Sequence, residues 1–466
     1  MELADALRLQ PGDVVTFTGA GGKTAALERL AGELAARGHR VVLTTTTRFG
    51  REQVRGPQVI ATGAGDLEAA VAEALSTSPV VAVTGVLADG GTKWGGLAPD
   101  QAAALREVPG VDFVLIEGDG ARGLPLKAPG EHEPVVPSAT SVLVAVAGAS
   151  AFGRPIAAGA VHRPERIAAL ARLALSGAAG DQDDGCLVTP ELVGRLLAYP
   201  DGGLKGRPAR ARAVALINQC DPAAPGGAER LAAAREAAAV ALAAPGLEAV
   251  LLGAVGLPGA AVAERHVRVA AIVLAAGAST RLGRFKQLLP WGPAGTPLVA
   301  HVVARLRAAR GLSAIGVVVG HRGDEVAAAL APGAADVVTN PRWPEGQSSS
   351  VRAGLRALPA GTGAALFALC DQPEVGPELV EALIQRHRET GARVAAPRTA
   401  GARRGTPTLW DRETFADLLE LAGDVGGRGL IEAAAARGQV AWLEWGDEIL
   451  RDIDRPGDLP GGPAPA

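Results

Sequence analysis

The sequence predicts an α/β protein of two three-layer domains, each a largely parallel sheet covered by helices on both faces. Three observations predict it. Short apolar runs (Val41–Thr45, Val80–Thr84, Phe113–Ile116, Val142–Val146, Val214–Ile217, Val250–Leu252) alternate with alanine-rich segments of helical length. Continuously apolar strands separated by helices mark a parallel sheet buried on both sides. A strand leading into a glycine-rich turn and a helix then occurs twice, at Val14–Thr18 before GAGGKT and at Val269–Leu274 before AAGASTRLG. That arrangement offers backbone N–H groups and a helix N-terminus to phosphate. The length, 466 residues, fits two to four domains at roughly 150 residues each.

Composition narrows the class. Apolar residues make up 48% but aromatics only 3%, so the cores must pack valine, leucine and alanine. Glycine and proline together are about a fifth of the chain, below the roughly 25–30% of low-complexity sequences. Basic and acidic residues nearly balance, with a net charge of −3, and no basic stretch forms a footprint for nucleic acid. Cys186, Cys220 and Cys370 are odd in number and far apart, which fits neither a disulfide framework nor a metal site and points to a reducing compartment. The N-terminus MELADALRLQ lacks the order of a signal peptide. The longest apolar stretch, Ala249–Ala263, is broken by Gly253, Gly256 and Pro258. The expectation is a cytoplasmic protein with no nucleic-acid or membrane partner.

Residues 1–256 are expected to form the first domain, with a P-loop-like parallel sheet. In GAGGKT, Gly19, Gly21 and Gly22 would cradle phosphate, Lys23 would reach the terminal phosphates and Thr24 would reach Mg²⁺. Phe17 stands where the usual pattern has its first glycine. The strand Phe113–Ile116 runs into EGDGARGLPLK, placing Glu117 and Asp119 where a metal- or water-orienting carboxylate would sit. The strand Val214–Ile217 runs into NQCD, close to the N-K-x-D tetrad that reads guanine, with Gln219 in place of lysine. Asn218 and Asp221 would still read a base edge, so the expected ligand is a purine nucleoside triphosphate, GTP or ATP. The TTTT run at Thr44–Thr47 reads as a strand end, and His132, between two glutamates, as a solvated turn.

Residues 257–267 are expected to link the halves, 268–459 to form the second domain, and 460–466 (PGGPAPA) to be a tail. In LAAGASTRLGRFK, Gly277 and Gly283 let the backbone approach a polyphosphate, while Arg281 and Lys286 supply positive charge. The apolar strand Leu366–Leu369 ends in Asp371, at the ligand-bearing edge of an open α/β sheet. A hard carboxylate there suits Mg²⁺.

The string L-A-A-G-x-S-x-R-x-G-x-x-K resembles the molybdenum cofactor nucleotidyltransferases. The resemblance continues in order through KQLLPW, NPRWPEGQSSSVRAG, LCDQP, RRGTP, GDVGGR and DIDRPGD. It implies a Rossmann-like nucleotidyltransferase in which Leu274, Ala275, Ala276, Gly277, Ser279, Gly283 and Ser350 hold the nucleotide. Arg281, Lys286 and Asp371 would be catalytic, and a second acidic metal ligand would come from Asp454 rather than Asp452. The guanylyltransferase branch tends to read L-A-G-G with an acidic residue before the lysine. Ala276 and Phe285 here resemble the cytidylyltransferase branch, which joins CMP from CTP to molybdopterin. TGAGGKT, the threonine run and EGDGARGLPLKAPGEHEPVVP resemble the YqeC family of selenium-dependent hydroxylase accessory proteins. Together the two halves imply maturation of a molybdenum hydroxylase of the xanthine dehydrogenase type, the partner being its apoenzyme or maturation chaperone. The competing readings are a cofactor carrier or insertion chaperone without turnover, and a guanylyl- or sugar-phosphate nucleotidyltransferase.

Overall fold

The computed structural model describes residues 1–51, 57–61, 67–167 and 187–459. Cys186 and the tail 460–466 lie outside the described residues. The chain divides into two compact units, Met1–His266 and Val267–Ala466. Among the described residues no helix is long and apolar enough to cross a membrane.

The first unit is built on a nine-stranded sheet. In order across the sheet, its strands are Val262–His266, Ala249–Gly253, Arg212–Asn218, Val142–Gly148, Val14–Gly19, Phe113–Glu117, Val41–Thr45, Val80–Thr84 and Gln58–Ile60. Each apolar run read from the sequence is one of these strands. All neighbours pair in parallel except the first two, which are antiparallel. The outermost strand corrects the expected linker: Val262–His266 is part of the sheet, and His266 closes the unit. Glu264 explains why this segment did not read as a strand. It is buried, yet it pairs with Arg235 and with His266 Nε2 (2.7 Å), so the charge is compensated inside the fold.

Alternate strand residues reach one face, where Ala213, Ala215 and Ile217 share a core with Leu192, Leu196, Ala234 and Ala238. These last four belong to the helices Pro190–Ala198 and Gly227–Ala243. Alanine dominates this contact, as a chain poor in aromatics requires. The helix Lys23–Ala36 packs against the strands Val14–Gly19, Val41–Thr45 and Phe113–Glu117 and buries Leu27, Leu30 and Leu34.

The second unit has a seven-stranded sheet in the order Asp336–Thr339, Leu312–Val319, Val269–Ala275, Ala364–Leu369, Thr408–Asp411, Val394–Arg398 and Val440–Glu444. Thr408–Asp411 runs antiparallel to both neighbours, and the other pairs are parallel. Ile272, Val318, Ala365 and Phe367 pack with Val351, Leu355 and Ile431 from the helices Gln347–Arg356 and Arg428–Ala436. In both units the strand that opens the sheet lies between strands that come later on opposite sides. The crevice at its carboxyl end is where such sheets take ligands.

Candidate active site

In the second unit the strand Val269–Ala275 delivers the chain into the turn 276–283, and one buried amide organises that turn. Gln287 Nε2 donates to the carbonyls of Ala275 (3.2 Å) and Gly277 (2.7 Å), while Ser279 Oγ donates to Gln287 Oε1 (3.0 Å). The Lys286 N–H donates to Ser279 Oγ (3.2 Å), fixing the lysine at the mouth of the loop. On the other side, the His321 N–H donates to the Ala276 carbonyl (3.0 Å). Ser279 and Gly283 take left-handed backbone angles, φ 56° and 67°. Ser350 is buried on the helix Gln347–Arg356, where Asn340 Nδ2 donates to its hydroxyl (3.0 Å) and to that of Ser349 (2.9 Å).

The neighbouring strand Ala364–Leu369 leads to Asp371. Lys286 Nζ donates to Asp371 Oδ2 and to Asp454 Oδ1 (3.0 Å), and Arg281 Nη1 donates to Asp454 Oδ2 (2.9 Å). The Ile453 N–H donates to the Asp371 carbonyl (3.0 Å), which brings the C-terminal acidic segment to this strand end. Asp454, not Asp452, shares the cation with Asp371. Asp452 instead accepts from Gln372 Nε2 (2.7 Å), and Gln372 Oε1 accepts from Thr406 Oγ1. Burial works against the Lys286 ammonium, but the two carboxylates outweigh it and its pKa is raised. Asp454 is lowered: partial burial opposes the charge, and Lys286 and Arg281 overcome it. Partial burial raises Asp452, with Gln372 pulling the other way.

Asp371 Oδ1 is buried with no hydrogen-bond partner among the described residues. An orphaned carboxylate oxygen beside a second carboxylate fits a hard divalent cation. Among the described residues no three His, Cys, Asp or Glu side chains cluster to hold a metal. Mg²⁺ binds through one or two carboxylates and takes its other ligands from water and substrate phosphates. A cavity of about 770 Å³ adjoins the site, lined in part by Leu274, Gln372 and Asp452.

The first unit brings its expected residues to one sheet edge but arranges them differently. The glycine turn is pressed against the neighbouring strands: a Cβ on Gly21 would lie 2.3 Å from the Gly148 nitrogen. The N–H groups of Gly19, Ala20 and Gly21 are already engaged, by Asp119 (3.0 and 3.2 Å), the Val146 carbonyl (2.9 Å) and the Leu124 carbonyl (3.2 Å). This corrects the expected cradle, since Gly19 and Gly21 hold the loop to its own protein. Lys23 is buried, its Nζ donating to the Gly19 carbonyl (2.7 Å) and pairing with Asp119 (3.3 Å) and Glu117 (3.9 Å). Thr24 Oγ1 donates to Glu117 Oε2 (3.2 Å). Burial raises the Glu117 carboxyl above its ordinary value, against the pull of Lys23.

Asn218 is a second correction. Its Nδ2 donates to the Gly21 carbonyl (2.8 Å), and its Oδ1 accepts from the Val255 N–H (3.0 Å). The amide ties the glycine turn, beside Gly22, to the sheet and is not turned toward a base. Asp221 Oδ1 accepts from the Ala223 N–H two residues on (2.9 Å), as a turn former does. The threonines are strand-end groups: Thr44, Thr45 and Thr46 hydroxyls donate to the carbonyls of Val83, Glu117 and Val135.

Residues 15–165 match the family model described as YqeC protein, and residues 271–439 match the MobA-like NTP transferase domain. The uncharacterized protein YqeC of Escherichia coli (strain K12) is 35% identical over 213 residues, which cover 45% of this chain and 78% of that protein. The chain belongs to the YqeC family. Its second unit adds a MobA-like nucleotidyltransferase domain. That half is similar to the 2-C-methyl-D-erythritol 4-phosphate cytidylyltransferase of Cereibacter sphaeroides, 37% identical over 150 residues, 31% of this chain and 62% of that protein. Among solved structures, the Mycobacterium tuberculosis rv0371c homolog from mycobacterium sp. strain JC1 is 31% identical, covering 41% of this chain and 93% of that one at a TM-score of 0.37.

Three residues of this YqeC-family chain that the motifs did not single out shape the sites. Lys127 is fully buried, its Nζ reaching Asp119 (2.7 Å), Glu133 (2.6 Å) and the Gly120 carbonyl (2.6 Å). Gln287 organises the second loop and Gln372 connects Asp452 to Thr406. Both glutamines sit one residue after a named site residue, Lys286 and Asp371, which is the signal that was available.

Proposed function

We propose that the second unit is a CTP:molybdopterin cytidylyltransferase, giving molybdopterin cytosine dinucleotide and pyrophosphate. The observation that carries the reading is the convergence of Arg281, Lys286, Asp371 and Asp454 at the mouth of a glycine loop, in a MobA-like domain. A non-catalytic carrier has no need of two cations and two carboxylates at one point. The cytidylyl choice is supported by Ala276 and Phe285 at the branch-distinguishing positions, and by similarity to a relative named as a cytidylyltransferase.

Nucleotidyl transfer asks little covalent chemistry of the protein. Bound at Asp371 and Asp454, Mg²⁺ would neutralise charge on the α-phosphate and the departing pyrophosphate. Lys286 releases its carboxylates and turns to the triphosphate, and Arg281, with 78% of its side chain exposed, follows from the loop surface. Gln287 keeps the loop open while the fold holds the attacking phosphate in line. Pyrophosphate release from CTP, with molybdopterin as acceptor, tests this against GTP and against sugar phosphates. Turnover with GTP alone, with a sugar phosphate alone, or with none of these replaces the reading.

For the first unit we propose a nucleoside triphosphate site with Mg²⁺, serving maturation of a molybdenum hydroxylase of the xanthine dehydrogenase type. Lys23, Thr24, Glu117 and Asp119 would make it, and entry of a phosphate requires Lys23 to exchange Asp119 for the ligand. A closed loop lowers affinity by the fraction of time it is open. Calorimetry of the full chain with GTP and ATP, wild type and Lys23→Ala, is the test, and equal binding by the two proteins removes the site.

A further inference from the structure

In the first unit the segment 120–133 carries charge that the proposed nucleotide chemistry leaves unused. Leu126–Lys127 pairs in parallel with Val161–His162, which sets Lys127 beside His162. Arg163, the next residue, takes a left-handed backbone at φ 63°, and Arg122 does the same at φ 52°. Non-glycine residues rarely adopt that conformation, and in these two segments both exceptions are arginines. A Cβ on Gly130 would lie 3.0 Å from Arg163 Cζ, so the guanidinium rests on bare backbone there. Lys205 Nζ donates to the carbonyls of Gly130 (2.6 Å) and Glu131 (3.0 Å). Among the described residues no carboxylate pairs with Arg122 or Lys205. Glu131 and Glu165, the other acids of these segments, are exposed.

One carboxylate does sit among these cations. Glu133 Oε2 accepts from Arg163 Nη1 (2.8 Å) and pairs with Lys127 Nζ (2.6 Å). Lys127 is fixed: its side chain is 0% exposed and also holds Asp119 (2.7 Å) and the Gly120 carbonyl (2.6 Å). Glu133 is not, with 27% of its side chain open to solvent. It is a movable oxyanion seated on a fixed cation. Burial lowers the pKa of the His162 ring, as do its positive neighbours Arg163, Lys127 and Arg122, with Glu133 pulling the other way. A neutral imidazole there donates a hydrogen bond without adding charge. Phosphate brings a second negative charge and a third acceptor oxygen, which suits a guanidinium fork, an ammonium and a ring N–H better than a carboxylate does. We propose that Arg122, Lys127, His162 and Arg163 form a phosphate site separate from the glycine loop. Glu133 fills it until free phosphate or a phosphate monoester displaces the carboxylate. The site needs no nucleotide, and it stands whether or not Lys23 and Thr24 bind one.

The test is calorimetry of the full chain with inorganic phosphate and with ribose 5-phosphate. Every variant lies in the first unit, so a difference from wild type reads that unit alone. Arg122→Ala/Arg163→Ala should weaken phosphate binding about tenfold or more, the loss expected for charge-assisted hydrogen bonds. Arg163→Lys, which keeps the charge, should lose less. Glu133→Gln should do the opposite and bind about tenfold more tightly, because no internal carboxylate has to leave first. A gain of affinity is not what a merely loosened fold produces. Lys23→Ala should bind phosphate as wild type does. Tighter binding of ribose 5-phosphate than of the free ion makes a monoester the ligand, and the reverse order makes it the ion. If the double variant binds both probes as wild type does, or Glu133→Gln gains nothing, the cluster is not a phosphate site. Loss of phosphate by Lys23→Ala but not by the double variant puts the anion in the glycine loop instead.

Discussion

At the scale of single residues, the second unit holds its site charges paired with one another. Lys286 is clamped between Asp371 and Asp454, and its ammonium stands where two carboxylates converge. The Asp371 carboxylate has one oxygen on that lysine and one buried oxygen unsatisfied, a costly arrangement unless a ligand completes it. Asp371→Asn keeps the volume and leaves Lys286 its bond to Asp454, so melting temperature should hardly move. Turnover should fall a hundredfold or more, since losing about 2.7 kcal/mol of transition-state stabilisation is two decades in rate. Steady-state pyrophosphate release and a melting curve check both halves of the statement. Near-normal turnover at saturating Mg²⁺ would remove Asp371 from the chemistry.

At the scale of elements, each glycine turn is held by side chains that a motif does not advertise. Gln287 spends its whole amide on Ala275, Gly277 and Ser279. Gln287→Leu fills similar space but strands two carbonyls, a loss of about 1–3 kcal/mol if they stay buried. The expected result is a lower melting temperature together with a raised KM for CTP, read from thermal unfolding and initial rates; a lower melting temperature with unchanged KM would make the amide purely structural. In the first unit the segment 120–133 folds back onto the strand end, and Lys127 bridges Asp119 and Glu133 there. Burial opposes the Glu133 charge, but Arg163 and Lys127 outweigh it and hold the carboxyl at about 2, against an ordinary 4.5. A carboxyl lowered by folding stabilises the native state above its unfolded value, and that stability drains away as pH falls from 4.5 toward about 2. Glu133→Gln should therefore show a flatter fall of melting temperature across that window than wild type. Parallel curves would mean the pair contributes nothing.

At the scale of the whole molecule, the parts of the fold that were legible are those whose reasons are local. Strands such as Val142–Gly148 and Val269–Ala275 are buried along nearly their whole length, so their sequences are almost uninterrupted apolar runs. Thr408–Asp411 escaped because it is short and ends in a buried acid, whose charge is met by the tertiary partner His387 (3.0 Å) and the Glu413 N–H (3.0 Å). Val262–His266 escaped for the same reason at Glu264, and Lys127 because a lysine among glycines and prolines reads as solvated. The motif singles out Arg281, Lys286 and Asp371, and the structure brings them together around Asp454. The inward turn of Asn218 and the closure of the first loop depend on strands distant in sequence. The division of the chain leads to the last prediction. The glycine loop, Gln287, Asp371 and Asp454, and the cavity all belong to Val267–Ala466, which has its own sheet and core. The strand Val262–His266 belongs to the other sheet. Residues 267–466 expressed alone should fold cooperatively and release pyrophosphate from CTP with kcat and KM within about threefold of the full chain, a difference of roughly 0.65 kcal/mol at RT of about 0.59 kcal/mol. Residues 1–266 alone should release none. A well-folded second unit without turnover would show that the first unit takes part in the transfer itself.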